Sequence, residues 1–93
     1  MARYVKKPYV IDAIRFGEHD FDYWTEWAQN AMTEGKLKYV YDITGVPFGF
    51  EVMTIDGNMA RGNRGSYLIK GVEDDLYPCD GHLFEKTYTK VGD

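Results

Sequence analysis

Hydrophobic and polar positions alternate along most of this chain, and the breaks in that alternation divide it into short elements. Tyr9 to Phe16 is rich in β-branched and aromatic residues and directly follows Pro8, the composition of a strand. Val10, Ile14 and Phe16 share one face with Asp12, while Ile11 and Ala13 share the other with Arg15. Apolar residues on both faces predict a strand with cover on each side, most simply in the middle of a small sheet.

Between Asp20 and Glu34 the rhythm changes to that of a helix. Trp24, Trp27, Ala28, Ala31 and Met32 recur at the spacing of one helical face. Asp20 or Asp22 is placed to cap its start and Gly35 to stop it. The simpler reading of the stripe is core packing, with both tryptophans facing a sheet, rather than a surface for a partner.

Strand periodicity then returns. Leu37, Tyr39, Tyr41 and Ile43 alternate with Lys38, Val40 and Asp42, and Gly45 with Pro47 ends the run. Phe48 to Ile55 resumes it, Asp56-Gly57 supplies a hairpin turn, and Asn58 to Arg61 is expected to pair back antiparallel. Glycines at 62, 65, 71 and 81 punctuate the last third of the chain. They bound two more strands, Ser66 to Lys70 and Leu76 to Cys79, around the acidic turn Glu73-Asp74-Asp75. Asp80 is placed to cap a last short helix with Leu83, Phe84 and Tyr88 on one side. The succession predicts an α+β fold for residues 1–93 as a single domain: one principal helix packed on a small, mainly antiparallel β-sheet, with a short C-terminal helix.

Composition adds detail to this outline. A chain of 93 residues supports one modest core, and its two tryptophans, eight tyrosines and five phenylalanines thicken that core or stand at an interface. Cys79 is the only cysteine, so an intramolecular disulfide is impossible and a reducing compartment is the natural one. The first residues do not read as a signal peptide, and no run of about 20 apolar residues suggests a membrane span. The net charge of −4 is unevenly spread. Residues 17 to 34 carry five acids and no base, the middle is mildly basic, and the segment from Gly71 is acidic. Without one continuous basic face, broad nonspecific nucleic-acid binding is disfavoured.

Few residues point to chemistry. Cys79 and His82 have the spacing of half a zinc site, but a structural zinc needs four ligands and the only other histidine is His19. The same pair invites comparison with a nucleophile and its base, although a buried cysteine beside a surface histidine explains it as well. Asp20, Asp22, Asp74 and Asp75 are explained as cap and turn residues. Arg61-Gly62-Asn63-Arg64-Gly65 is the stretch with most to offer. Its glycines can free backbone N–H groups to form an anion-binding concavity, and its arginines can grip phosphate or carboxylate, with Tyr67 and Lys70 nearby to complete a pocket. It does not match a P-loop, and a solvated turn with charged tips is the simpler reading.

Several blocks of the chain resemble a family of small phage and prophage proteins known by its PGDYG motif. They are Tyr4-Val5-Lys6-Lys7-Pro8, Ile11-Asp12-Ala13-Ile14, Gly65 to Val72, Tyr77-Pro78-Cys79 and Phe84 to Tyr88. The resemblance covers roughly the first 16 and last 30 residues and does not extend over 17 to 60. Where the family writes Pro-Gly-Asp-Tyr this chain has Arg64-Gly65-Ser66-Tyr67, keeping the glycine and tyrosine and losing the proline and the acid. The resemblance implies a phage- or prophage-encoded accessory protein in the cytoplasm of a bacterial host, and brings no reaction or catalytic residue with it.

The resulting expectation is a nonenzymatic bacteriophage or prophage accessory protein that binds a host protein, without cofactor, catalytic residue or metal ligand and away from membranes. Self-association is left open. One alternative is a protein that sequesters a small anionic, nucleotide-like ligand with Arg61, Arg64, Tyr67 and Lys70. Another is a small thiol-dependent enzyme built on Cys79 and His82.

Overall fold

The strand alternation and the glycine turns are realised, in a computed structural model that describes residues 2–5, 7–17 and 25–91, as two three-stranded antiparallel sheets and two helices. In chain order the elements are β1 (Asp12–Arg15), α1 (Glu26–Thr33), β2 (Leu37–Tyr41), β3 (Pro47–Met53), β4 (Met59–Asn63), β5 (Tyr67–Lys70), β6 (Leu76–Cys79) and α2 (Gly81–Thr87). The class is α+β, rich in strand, but its strands divide between two sheets instead of forming the one expected. One sheet is the meander β2-β3-β4, and the other has the order β1-β5-β6. β1 therefore lies at a sheet edge, not in the middle, and β5 is the central strand. Of the apolar residues expected in this strand, Ile14 and Phe16 are buried and Ile11 and Ala13 half-buried, while Tyr9 and Val10 precede the strand and are exposed; apolar residues on two faces report layers above and below and say nothing of neighbours in the sheet.

Asp20, Asp22 and Trp24 lie outside the described residues. The described helix α1 starts at Thr25, whose hydroxyl accepts from the Ala28 N–H at 3.3 Å. It stops as expected at Gly35, whose positive φ of 77° lets the Gly35 N–H reach Met32 O (3.1 Å) and the Lys36 N–H reach Ala31 O (2.9 Å). Ala28 and Ala31 are buried, with Trp27 and Met32 packed beside them.

Strand parity assigns each sheet an inner face. In the meander Leu37, Phe50 and Val52 turn inward, with Leu37 opposite Val52 and Tyr39 opposite Phe50. In the other sheet Ile14 lies opposite Leu68, and both are buried. These side chains meet Phe16, Ala28 and Ala31 in one cluster drawn from both sheets and α1. Phe16 joins the layers through tilted contacts with Phe50 at 5.6 Å and Tyr39 at 6.2 Å.

The reverse face of β1-β5-β6 is set by the same parity. Tyr67 and Ile69 of β5, with Tyr77 and Cys79 opposite them on β6, point away from the meander. α2 covers this face. Asp80 caps the helix as expected, its carboxylate accepting from the His82 and Leu83 N–H groups at 3.0 and 3.2 Å. Phe84 stacks on Tyr67 at 3.8 Å and Tyr88 on Phe84 at 4.8 Å. Leu83 does not share that side; it is exposed.

Candidate functional site

The four residues read from sequence as an anion site are not brought together. Arg61 stands on the outer face of the meander, where its guanidinium lies 3.6 Å from Glu51, which Lys38 also approaches at 3.7 Å. Arg64, in the turn after β4, donates to the Pro47 carbonyl at 3.0 Å. Tyr67 and Lys70 sit three apart on β5 and so face opposite ways, Tyr67 towards α2 and Lys70 with its ammonium 3.3 Å from Asp74. The glycines between them serve packing. A Cβ on Gly62 would run into the Phe50 ring, and Gly65 holds a φ of 87° while its carbonyl abuts Gly81.

The Cys79 thiol approaches its neighbour's carbonyl, Asp80 O, at 3.5 Å, and His82 is an exposed first-turn residue of α2. Among the described residues no three His, Cys, Asp or Glu side chains are grouped to hold a metal, and no helix is long and apolar enough to cross a membrane.

Arg64 nevertheless marks a distinctive place, because the strand it grips leads from the β2–β3 turn. The register between these strands slips after Val40, so Tyr41 lies opposite Pro47 and Phe48 is the extra residue of a bulge. At this end Tyr41, Ile43, Val46 and Phe48 are all exposed, and Ile43 wholly so. Loop tips commonly carry polar side chains; this one carries Ile43 and Val46, with Tyr41 and Phe48 exposed on the strands beside it.

The turn that presents Ile43 is held by a single carboxylate. Asp42 Oδ1 accepts from the Thr44 hydroxyl (2.6 Å), the Thr44 N–H (2.8 Å) and the Val46 N–H (3.0 Å). The Asp42 N–H donates to Val46 O at 2.9 Å, closing the loop from the other side. The Thr44 hydroxyl bond, then the Val46 N–H, hold the Asp42 carboxyl below its usual pKa of 3.8. These bonds hold the turn that carries Ile43, although nothing packs on its side chain.

Sequence alternation places Ile43 on the apolar side of β2, continuing Leu37, Tyr39 and Tyr41. The strand ends at Tyr41, and Ile43 lies in the turn. The signal that marks this boundary is Asp42-x-Thr44-Gly45, in which the acid offers the backbone an alternative to the sheet ladder.

A second feature lies on the other sheet. Tyr67, Tyr77, Phe84 and Tyr88 line a groove of about 900 Å³, and residues 7–11 line it too. Burial, and then a hydrogen bond with Tyr88, push the Tyr77 hydroxyl up to about 12. Compared with known protein families, curated proteins and solved structures, the chain finds no match.

Proposed function

We propose that this chain is a nonenzymatic binding protein that engages a partner protein through the apolar end of the β2–β3 hairpin. The observation that carries this reading is Ile43, fully exposed on a turn tied down by Asp42. An apolar side chain whose backbone is held before contact loses less entropy on binding than one on a loose loop, which makes it a suitable anchor for a hydrophobic pocket. Tyr41, Val46 and Phe48 widen the contact, and Arg64 supplies a polar edge. In this reading α1 is the principal helix, and its packing on the sheet makes it scaffold rather than interface.

The resemblance to the PGDYG-motif proteins of phages and prophages supports an accessory role, with a host protein in the bacterial cytoplasm as the partner. The test is a pull-down from bacterial lysate in which wild type is compared with Ile43→Asp and Ile55→Asp. Ile55 is an exposed isoleucine at the opposite end of β3. A partner held stoichiometrically by wild type and Ile55→Asp but lost by Ile43→Asp is the expected outcome. Equal capture by all three, or by none, removes the hairpin end from the function.

A further inference from the structure

The segment ahead of β1 carries apolar side chains that nothing in the fold covers. Tyr4 and Val5 are 91% and 92% exposed. The same segment then lines the aromatic groove through residues 7–11, together with Tyr67, Tyr77, Phe84 and Tyr88. Residues 3–5 do not line it.

The groove and residues 3–5 are chemically matched. The lining offers aromatic rings, and its charged groups among the described residues are Asp12, Glu73 and Asp75 against Lys7 and Lys90, an excess of one negative charge among those residues. Lys70 does not change that balance, since it is engaged with Asp74. Arg3-Tyr4-Val5 offers a guanidinium, a ring and a branched aliphatic chain, groups that stack on tyrosine faces and meet a surplus carboxylate.

We propose that Arg3, Tyr4 and Val5 of one copy of this chain seat in the aromatic groove of a second copy, and reciprocally, forming a two-fold dimer closed by exchanged segments. A two-fold arrangement, in which each copy both gives and receives a segment, closes at two copies, whereas one-way seating would continue into larger assemblies. A tyrosine ring hides about 200 Å² and covers a similar area beneath it, so the two Tyr4 seats alone bury roughly 800 Å². Arg3 and Val5 extend this towards the roughly 1,200 Å² at which specific interfaces begin. This inference is independent of the partner at the hairpin end, which lies on the other sheet.

Sedimentation velocity of the full chain, from micromolar to several hundred micromolar, tests it. Wild type is expected to sediment as a reversible dimer. The double variant Tyr4→Asp/Val5→Asp, and separately Phe84→Ala, are expected to weaken dimerisation at least about tenfold, and Ile43→Asp not at all. Arg3→Glu is expected to weaken it too, and added salt to narrow the gap between Arg3→Glu and wild type. Because Phe84→Ala also loosens α2, the variants at exposed residues 3–5 decide the matter. A monomer at every concentration, or a dimer that Tyr4→Asp/Val5→Asp leaves intact, overturns the proposal.

Discussion

The β2-β3-β4 meander and the β1-β5-β6 sheet have the same strand count and the same antiparallel pairing, yet they are closed by opposite means. In the meander each strand meets its partner across a short turn, and each turn is tied by one aspartate, Asp42 or Asp56. In the other sheet β5 and β6 also pair across a short turn, but β1 finds β5 only after most of the chain has been traversed, and α2 must fold over the outer face. Local pairs lose little loop-closure entropy and distant ones lose more, so the second sheet depends on packing where the first has turn chemistry. The proposed functions divide along the same line. The stiff local turn presents an anchor to a partner, and the sheet closed by packing leaves a groove.

The sharpest way to break this comparison is to remove packing at the centre of the second sheet. Leu68 is fully buried on β5 and belongs to the cluster that also contains Phe50 and Val52 of the meander. Leu68→Ala is expected to cost about 2 to 5 kcal/mol, measured by urea unfolding. Since the cluster is shared, near-UV and far-UV signals should be lost together. A meander that stays folded in urea after β1-β5-β6 has melted would show that the two sheets are independent.

A smaller effect is expected from the meander's own closest approach. Gly62 lies opposite Phe50, and an added Cβ would meet three atoms of that ring, which is itself fully buried. Gly62→Ala should cost about 1 to 3 kcal/mol through overpacking, again by urea unfolding. A neutral Gly62→Ala would mean the ring shifts freely and the meander's interior is loosely packed.

Weaker still is the cap on α2. Asp80→Ala removes the acceptor for the His82 and Leu83 N–H groups and should cost about 1 kcal/mol. The change should appear as faster amide exchange in α2, with β2, β3 and β4 unaltered. Exchange that quickens equally in the meander would contradict the view that α2 belongs to the second sheet alone.

Legibility in the sequence divides along the same line. The meander is legible because alternation and the Asp56-Gly57 turn are both local: its strands start and stop within a few residues of expectation, and β6 matches at Leu76–Cys79. Gly35 and Asp80 are legible as helix stop and cap for the same reason. The allotment of strands to two sheets is not, because period-two alternation reports faces and never neighbours. β1 is apolar on both sides, as a central strand is, with Ile14 turned to the core and Ala13 to the groove. The grouping of Tyr67 with Lys70 fails on parity. Residues 67 and 70 lie three apart, which places them together on a helix and apart on a strand. Gly62 reads as part of a phosphate-binding turn because only the folded chain reveals the Phe50 ring above it. Ile43 reads as strand because its side chain is apolar, and the hydroxyl and carboxylate flanking it are the better guide.

The gentlest perturbation acts on the turns alone. Asp42 and Asp56 are both held below the usual 3.8, Asp42 chiefly by the Thr44 hydroxyl and Asp56 chiefly by the Thr54 hydroxyl. Because the lowered value belongs to the folded state, each turn's contribution is fully present above the usual pKa and is lost as pH falls through the lowered one. Both carboxylates are exposed, so the effect should be local rather than global. In an NMR titration from neutral pH downwards, the amide resonances of Thr44, Val46 and Asn58 should hold steady until below the usual aspartate value and then move. Resonances from Leu68 and Ile69 should stay in place over the same range. Asp42→Asn keeps an acceptor oxygen but removes the ionisation, and should leave the Thr44 and Val46 resonances insensitive to acid while those near Asp56 still move. If acid shifts the turns and the β5 core in concert, the turns are not autonomous, and the rigidity assigned to Ile43 must come from the sheet rather than from Asp42.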